Sequence, residues 1–242
     1  APTQEIIIGT DLGVYRTHNG GTSWSPFNPG LPNVPVLDLR YTAGSGVLVA
    51  ATHGRGAWKA TIKPVVAHDF DSDGKGDILW RDNLGNAVAS RLNGASIASS
   101  TFIANVPINF TIAGTGDFNG DGNSDILWRD ATTGATIVSL MKNQAITSST
   151  LIATLPSPWT IAGLGDFDGN RTTDILWRNT TNNAYVLSDM NGAMIKSSTL
   201  VGQPPSTWTV AGIGDFNGDN QADILWRDSA TNNYIISLMN GA

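Results

Sequence analysis

The sequence predicts an all-β protein assembled from repeated antiparallel sheets of four strands. Three observations predict it. A motif made of an acidic loop followed by "DILWR" occurs four times. Its first Asp falls at 69, 117, 166 and 215, at spacings of 48, 49 and 49 residues, and a fixed period of this length marks a repeat architecture. Each period holds four short runs of β-branched and aromatic residues bounded by Gly, Pro, Asn and Asp, with no helical periodicity. Glycine is abundant, 27 of 242 residues, as in turn-rich β chains. Four-stranded units at this period pack face to face as the blades of a β-propeller, and the chain has length for about five to six blades.

Residues 1–63 stand apart from the array. "EIIIGT", "GVYRTH" and "SWSPF" read as three short strands separated by "DLG" and "NGG" turns. "VPVLDLRYTA", "GVLVAATH" and "GAWKATI" read as three more, after the Pro/Gly connection "NPGLPNVP". Residues 64–242 hold the four repeats, expected to continue the first segment in one propeller. The third reads "WTIAGLGDF", the acidic loop, "TDILWR", "NAYVLSDMNG" and "AMIKSSTLVG", then a Pro-containing link. The last stops at "YIISLMNGA", before a fourth strand. Two expectations follow: that the chain is a fragment of a larger protein, or that its N-terminal strand closes the last blade. The incomplete terminal blades also allow self-assembly through an open strand edge.

The loops align as D-x-[DN]-x-[DN]-x-x-x-D. Loop one supplies Asp69, Asp71, Asp73 and Asp77, and loop two Asp117, Asn119, Asp121 and Asp125. Loop three supplies Asp166, Asp168, Asn170 and Asp174, and loop four Asp215, Asn217, Asp219 and Asp223. Like charges this close repel, so a cation belongs among them. Oxygen ligands at positions 1, 3, 5 and 9, with a backbone carbonyl at position 7, can wrap Ca²⁺. Position 7 is Lys75, Asn123, Thr172 and Gln221, and a carbonyl donor tolerates that variety. The absence of soft ligands disfavours zinc and copper, and an all-protein cage is not the habit of Mg²⁺. Up to four Ca²⁺ ions are expected, which would take the formal charge from −6 to +2. Position 6 is Gly74 and Gly122 in the first two loops but Arg171 and Asn220 in the others. A turn with positive φ there suits Gly, is open to Asn and is harder for Arg. An EF-hand or dockerin reading fails, because position 12 is Trp80, Trp128, Trp177 or Trp226 rather than a bidentate Glu, and a strand follows rather than a helix.

These four loops, with "GDFNGDG" and "DILWR", resemble FG-GAP/VCBS repeats, the calcium-loop blades also found in integrin-type propellers, over about 180 residues. The resemblance implies calcium-stabilised blades and a role in adhesion or ligand binding. "THNGGTSW" (17–24) resembles the Asp-box of bacterial neuraminidase (BNR) repeats, with Asn19 where the motif has Asp. The segment "NVPVLDLRYTAGSGVLVAATHGRGAWK" is similar to the closing blade of such propellers. The Asp-box stabilises a hairpin and carries no catalysis.

The strand "DILWR" alternates, so Ile and Trp share one face and Leu and Arg the other. The repeated Trp read as packing between blades, as do Phe110, Trp159 and Trp208 at the starts of the innermost strands. Arg81, Arg129, Arg178 and Arg227 are expected to pair with an Asp at the strand end. Of the 20 acidic residues 19 are Asp, 13 of them in the loops, so little acid remains for the separated carboxylate pair of glycoside hydrolysis. The three His lie at 18, 53 and 68, no Ser sits in a G-x-S-x-G elbow, and His53 with Arg55 reads as a turn at a blade end. The acidic balance argues against nucleic acid, and no apolar run approaches a membrane span. The absence of Cys excludes thiol chemistry. The expected protein is thus non-catalytic, secreted or on a cell surface, and bacterial by family resemblance. It binds calcium and recognises a glycan or a surface protein. The alternatives are an accessory region of a larger secreted carbohydrate-active enzyme, with catalysis elsewhere, and a structural subunit of an extracellular fibre or surface layer.

Overall fold

A computed structural model describes residues 6–17, 21, 24–27, 31–42, 47–61 and 66–240. All regular structure among them is β, in six antiparallel sheets of three or four strands. The chain divides into two compact units. One is Ala1–Pro64 with Asn217–Asn220, and the other is Val65–Phe216 with Gln221–Ala242.

The smaller unit holds two three-stranded sheets. The first is β1 (Ile6–Thr10), β2 (Gly13–Thr17) and β3 (Ser25–Pro26), and the second is β4 (Val36–Thr42), β5 (Val47–Thr52) and β6 (Gly56–Thr61). Val14 of one sheet packs with Leu48 and Ala50 of the other, sealed by Leu31, Phe27 and Trp58. Gly9 lets the sheets approach, since a Cβ there would lie 2.7 Å from Val36 Cγ1. His53 and Arg55 are exposed in the β5–β6 turn, as expected. The Asp-box-like stretch, with His18 and Asn19, lies largely outside the described residues, as does Glu5.

The larger unit is the repeat array. Its first sheet is β7 (Ile78–Arg81), β8 (Asn86–Asn93) and β9 (Ser96–Asn105). The second is β10 (Phe110–Gly116), β11 (Asp125–Asp130), β12 (Ala135–Lys142) and β13 (Ala145–Thr154). The third is β14 (Trp159–Gly165), β15 (Asp174–Asn179), β16 (Tyr185–Met190) and β17 (Ile195–Gly202), and the last is β18 (Trp208–Gly214), β19 (Asp223–Asp228) and β20 (Tyr234–Ser237). Four strands are therefore realised in two sheets rather than in all. The first shows no inner strand among the described residues, and residues 62–65, ahead of loop one, lie outside them.

The alternation in "DILWR" builds the contacts between sheets. Ile126 and Trp128 pack back onto Phe70 of loop one and Ala87 and Ala89 of the first sheet, while Leu127 and Val138 face Ile175 and Trp177 of the third. Leu176, Tyr185 and Leu187 meet Ile224 and Trp226 in the same way. Trp80 is the exception, half exposed on the first sheet. Each Trp also satisfies its own polar group. Trp128 Nε1 donates to Ser139 Oγ at 3.0 Å, and Ser139 pairs with Ser149 of the outer strand at 2.8 Å. Trp80–Ser90–Ser100 and Trp177–Ser188–Ser198 repeat the ladder, and Trp226 reaches Ser237.

The loops are themselves tied from sheet to sheet. The carbonyl of each position-1 Asp accepts the amide at position 8 of the next loop: Ser124 to Asp69 at 2.6 Å, Thr173 to Asp117 at 2.7 Å and Ala222 to Asp166 at 2.6 Å.

Candidate functional site

Two side chains shape each of loops one to three, and both act on backbone amides. The position-1 Asp caps the turn. Asp117 Oδ1 accepts from Gly120 and Asp121 at 2.7 and 3.1 Å, and its Oδ2 accepts from Gly122 at 2.8 Å. Asp69 and Asp166 do the same for Asp73 and Gly74, and for Asn170 and Arg171. The position-9 Asp clamps the loop to the sheet. Asp125 Oδ2 accepts from Phe118 at 2.8 Å and Oδ1 from Met141 at 2.7 Å. Asp77, Asp174 and Asp223 hold the matching pairs Phe70 and Leu92, Phe167 and Met190, and Phe216 and Met239. The Phe between them is fully buried in loops one to three and anchors the turn.

The position-6 residue takes positive φ in every loop: 86° at Gly74, 85° at Gly122, 70° at Arg171 and 65° at Asn220. Arg171 therefore adopts the same turn as Gly, held by its amide bond to Asp166, despite the steric preference against it.

Each of loops one to three is a cup with a buried floor and an open rim. Asp69, Asp77, Asp117, Asp125 and Asp174 are buried, whereas Asn119, Asp121 and Asn170 are exposed and Asp168 is half-buried. In two loops carboxylates of the floor and rim converge. One oxygen each of Asp69, Asp71 and Asp77, and of Asp166, Asp168 and Asp174, lie within 4.8 Å of one another. Burial pushes the carboxyls of Asp125, Asp166 and Asp174 up to about 7, against the pull of their amide partners. Burial raises Asp117 as well. A convergent, all-oxygen donor set with protons held this strongly fits a hard divalent cation, which supplies the positive charge that the floor lacks. At position 7, the Asn123 side chain is drawn inward, its amide donating to Asp121 Oδ1 at 2.9 Å, while Lys75 and Thr172 donate main-chain amides to Asp73 and Asn170.

Loop four divides between the two units. Asp223 keeps its clamp in the larger one. In the smaller one, Asp219 donates its amide to Asn217 Oδ1 at 2.8 Å, and Asn217 Nδ2 returns a bond to Asp219 Oδ2 at 2.9 Å. Asp215 is exposed and Gln221 half-buried.

Loop one carries a feature that the loop pattern does not announce. Arg91 on β8 reaches back to it, with Nε against Asp71 Oδ2 and a terminal nitrogen 3.3 Å from Asp73 Oδ2. Lys75 Nζ lies 3.1 Å from the same Asp73 oxygen. Burial works to raise Asp73, but Lys75 and Arg91 hold it below the usual carboxylate range. Aligning the third strands would have revealed it: the column reads Arg91, Leu140, Asp189, Leu238.

The strand-end arginines differ from expectation. Arg129 donates to the carbonyls of Leu155 and Trp159 at 2.6 and 2.7 Å, in the link and first strand of the next sheet, and to Thr136 Oγ1 at 2.8 Å. Arg81 reaches the carbonyls of Val106 and Pro107. Arg178 and Arg227 bond to Asn183 and Asn232. The strand-end Asp instead turns to its own hairpin. Asp130 accepts from Thr133 Oγ1 at 2.6 Å and from Asn109 at 2.9 Å, which holds its carboxyl at about 2. In the third repeat, Asn183 Nδ2 takes over the arginine's task, donating to Pro204, Pro205 and Trp208 carbonyls at 2.9–3.0 Å.

Comparison with known proteins agrees with this geometry. The family model described as FG-GAP-like repeat matches residues 117–177 and 166–226, each window running from the first Asp of one loop to the Trp of the next. Among solved structures, the chain is similar to a lectin of Agrocybe aegerita, studied for its specific recognition of non-reducing terminal N-acetylglucosamine. Identity is 16%, the match covers 98% of this chain and 77% of that one, and the TM-score is 0.53. No curated protein matches.

Proposed function

We propose that this chain, whose residues 117–226 match a model of FG-GAP-like repeats, is a β-propeller and a non-catalytic recognition module that binds glycans and is held in shape by calcium in its acidic loops. The observation that carries the calcium part is the convergence of three carboxylates in loop one and three in loop three, where Asp166 and Asp174 keep their protons to about pH 7. Asp117, Asn119, Asp121 and Asp125 would hold an ion in loop two, and Asp166, Asp168, Asn170 and Asp174 in loop three. Asp69, Asp71, Asp73 and Asp77 form the equivalent set in loop one. The glycan part is supported by the likeness in fold to a lectin. Calcium sites of modest affinity would suit a secreted or cell-surface protein, because calcium is plentiful there.

A glycan array in calcium and in EGTA tests the reading. Binding of a defined terminal sugar, weakened by chelation, supports it. Silence on the array with activity on chromogenic glycosides would replace it with an enzymatic role. A second reading is assembly with a second copy through β20. It is favoured by the exposed Tyr234, Ile235 and Ile236 and by Ser237, whose counterparts in the other sheets each bond to a serine of an outer strand. Light scattering after size exclusion separates a monomer from that assembly.

A further inference from the structure

We propose that Arg91 is the built-in cation of loop one, its guanidinium standing where a divalent ion stands in loops two and three, so that loop one closes without calcium. The inference rests on the calcium reading above and narrows it.

The geometry carries it. Arg91 rises from β8, whose next residue, Leu92, donates its amide to Asp77 at 3.1 Å, so the arginine is fixed beside the cup by the loop's own clamp. From there its side chain spans Asp71 and Asp73, the two carboxylates at positions 3 and 5. These are the rim ligands that an entering ion must collect. Lys75 adds a second positive charge to Asp73 from position 7. With these contacts every carboxylate oxygen of loop one has a hydrogen-bond donor except Asp71 Oδ2, which is ion-paired with Arg91. Asp69 and Asp77 are filled by backbone amides, Asp71 by the Asp73 amide and Arg91, and Asp73 by Lys75 and Arg91. In loop two the matching position on the third strand is Leu140 and in loop three it is Asp189, so neither strand offers a positive charge to its own rim. In loop two the donors to the rim are amides: Asp121 to Asn119, and the main-chain and side-chain nitrogens of Asn123 to Asp121. A planar guanidinium that engages two carboxylates at once is a strong competitor for a weakly held ion, because an entering Ca²⁺ must break both contacts.

Hydrogen exchange resolved by loop tests this in the whole chain, comparing wild type with Arg91→Leu and Arg91→Lys. Leucine is the native residue at this position in the second and fourth repeats, and lysine keeps the charge. In wild type, calcium should slow exchange in residues 117–125 and 166–174 roughly tenfold, while residues 69–77 exchange equally slowly in calcium and in EGTA. In Arg91→Leu, residues 69–77 should exchange fast in EGTA and become calcium-responsive. Arg91→Lys should fall between the two. Calcium slowing loop one of the wild type as much as the other loops overturns the assignment of Arg91 and leaves the calcium reading standing. So does an Arg91→Leu protein whose loop one is unchanged in EGTA. Loops two and three indifferent to calcium in all three proteins overturn the calcium reading itself, and the replacement of an ion by Arg91 with it.

Discussion

The guanidinium of Arg129 lies over the indole of Trp177, its carbon 5.5 Å from the ring centroid, so the last arginine of one "DILWR" strand rests on the tryptophan of the next. The same guanidinium reaches the carbonyls of Leu155 and Trp159. One buried side chain thus ties the second sheet to the backbone and the core of the third. Arg129→Met removes the charge and leaves two partly buried carbonyls short of a donor. The expected loss is about 2–4 kcal/mol, read by urea unfolding. Arg129→Lys should recover less than half, because an ammonium cannot span both carbonyls or stack on the ring.

Stability in the absence of metal should fall as pH rises. Asp125, Asp166 and Asp174 hold their protons to about 7 in the folded chain, while unfolded carboxylates titrate near ~4. The native state therefore binds protons more tightly in this window. The stability they contribute is complete below about pH 4 and is lost as pH climbs through about 7. In EGTA, Tm should be higher at pH 6 than at pH 8. With saturating calcium the order should reverse, since the ligands must shed their protons to bind the ion. Thermal scans at the two pH values in both buffers check the crossing.

Asp125→Asn tests the clamp. The carboxylate accepts from Phe118 and Met141 at once, and an amide can accept from only one of them. In calcium the variant should lose about 2 kcal/mol or more. In EGTA the loss should be smaller, because the substitution also removes a charge that burial disfavours. A calcium-independent loss would show that the residue is only a clamp.

Gly134→Ala should damage the second repeat. Its φ is 76°, and a Cβ there would strike the Leu155 carbonyl and Pro156. That carbonyl is the acceptor Arg129 uses, so the substitution should cost more than ~1 kcal/mol and loosen the Arg129 link as well. Ser139→Ala should cost about 1 kcal/mol by leaving Trp128 Nε1 without its acceptor. Both are read by chemical denaturation.

Much of this was legible in the residues. The 49-residue period, the loop positions and the two faces of "DILWR" follow from spacing and alternation, and the sheets carry them out at Trp128, Trp177 and Trp226. What the sequence left open depends on partners that carry no signature. Arg129 bonds to carbonyls, which every residue has, so nothing in its surroundings distinguished it from an arginine paired with Asp130. Asn183 takes over the same carbonyls in the third repeat because it stands at the position of Gly134 with φ 58°, a geometry visible only in the folded turn. The clamp made by the position-9 Asp was hidden for a related reason: a metal ligand and a backbone clamp ask for the same side chain. Arg91 was the one missed residue with a signal in the sequence, a lone positive charge in a column of Leu and Asp.

The amide bonds that run from loop to loop, Ser124 to Asp69, Thr173 to Asp117 and Ala222 to Asp166, join the four loops into a row in which each is linked to its neighbour. The atom that receives each bond belongs to the residue that caps its own turn. Order gained or lost in one loop is therefore felt first by the loop beside it, and only through that loop by the next. Such a row, linked by neighbours alone, loses order from its least supported members inward. Gradual chelation should then leave a graded series of partly ordered states, with the third loop, held from both sides, outlasting the fourth.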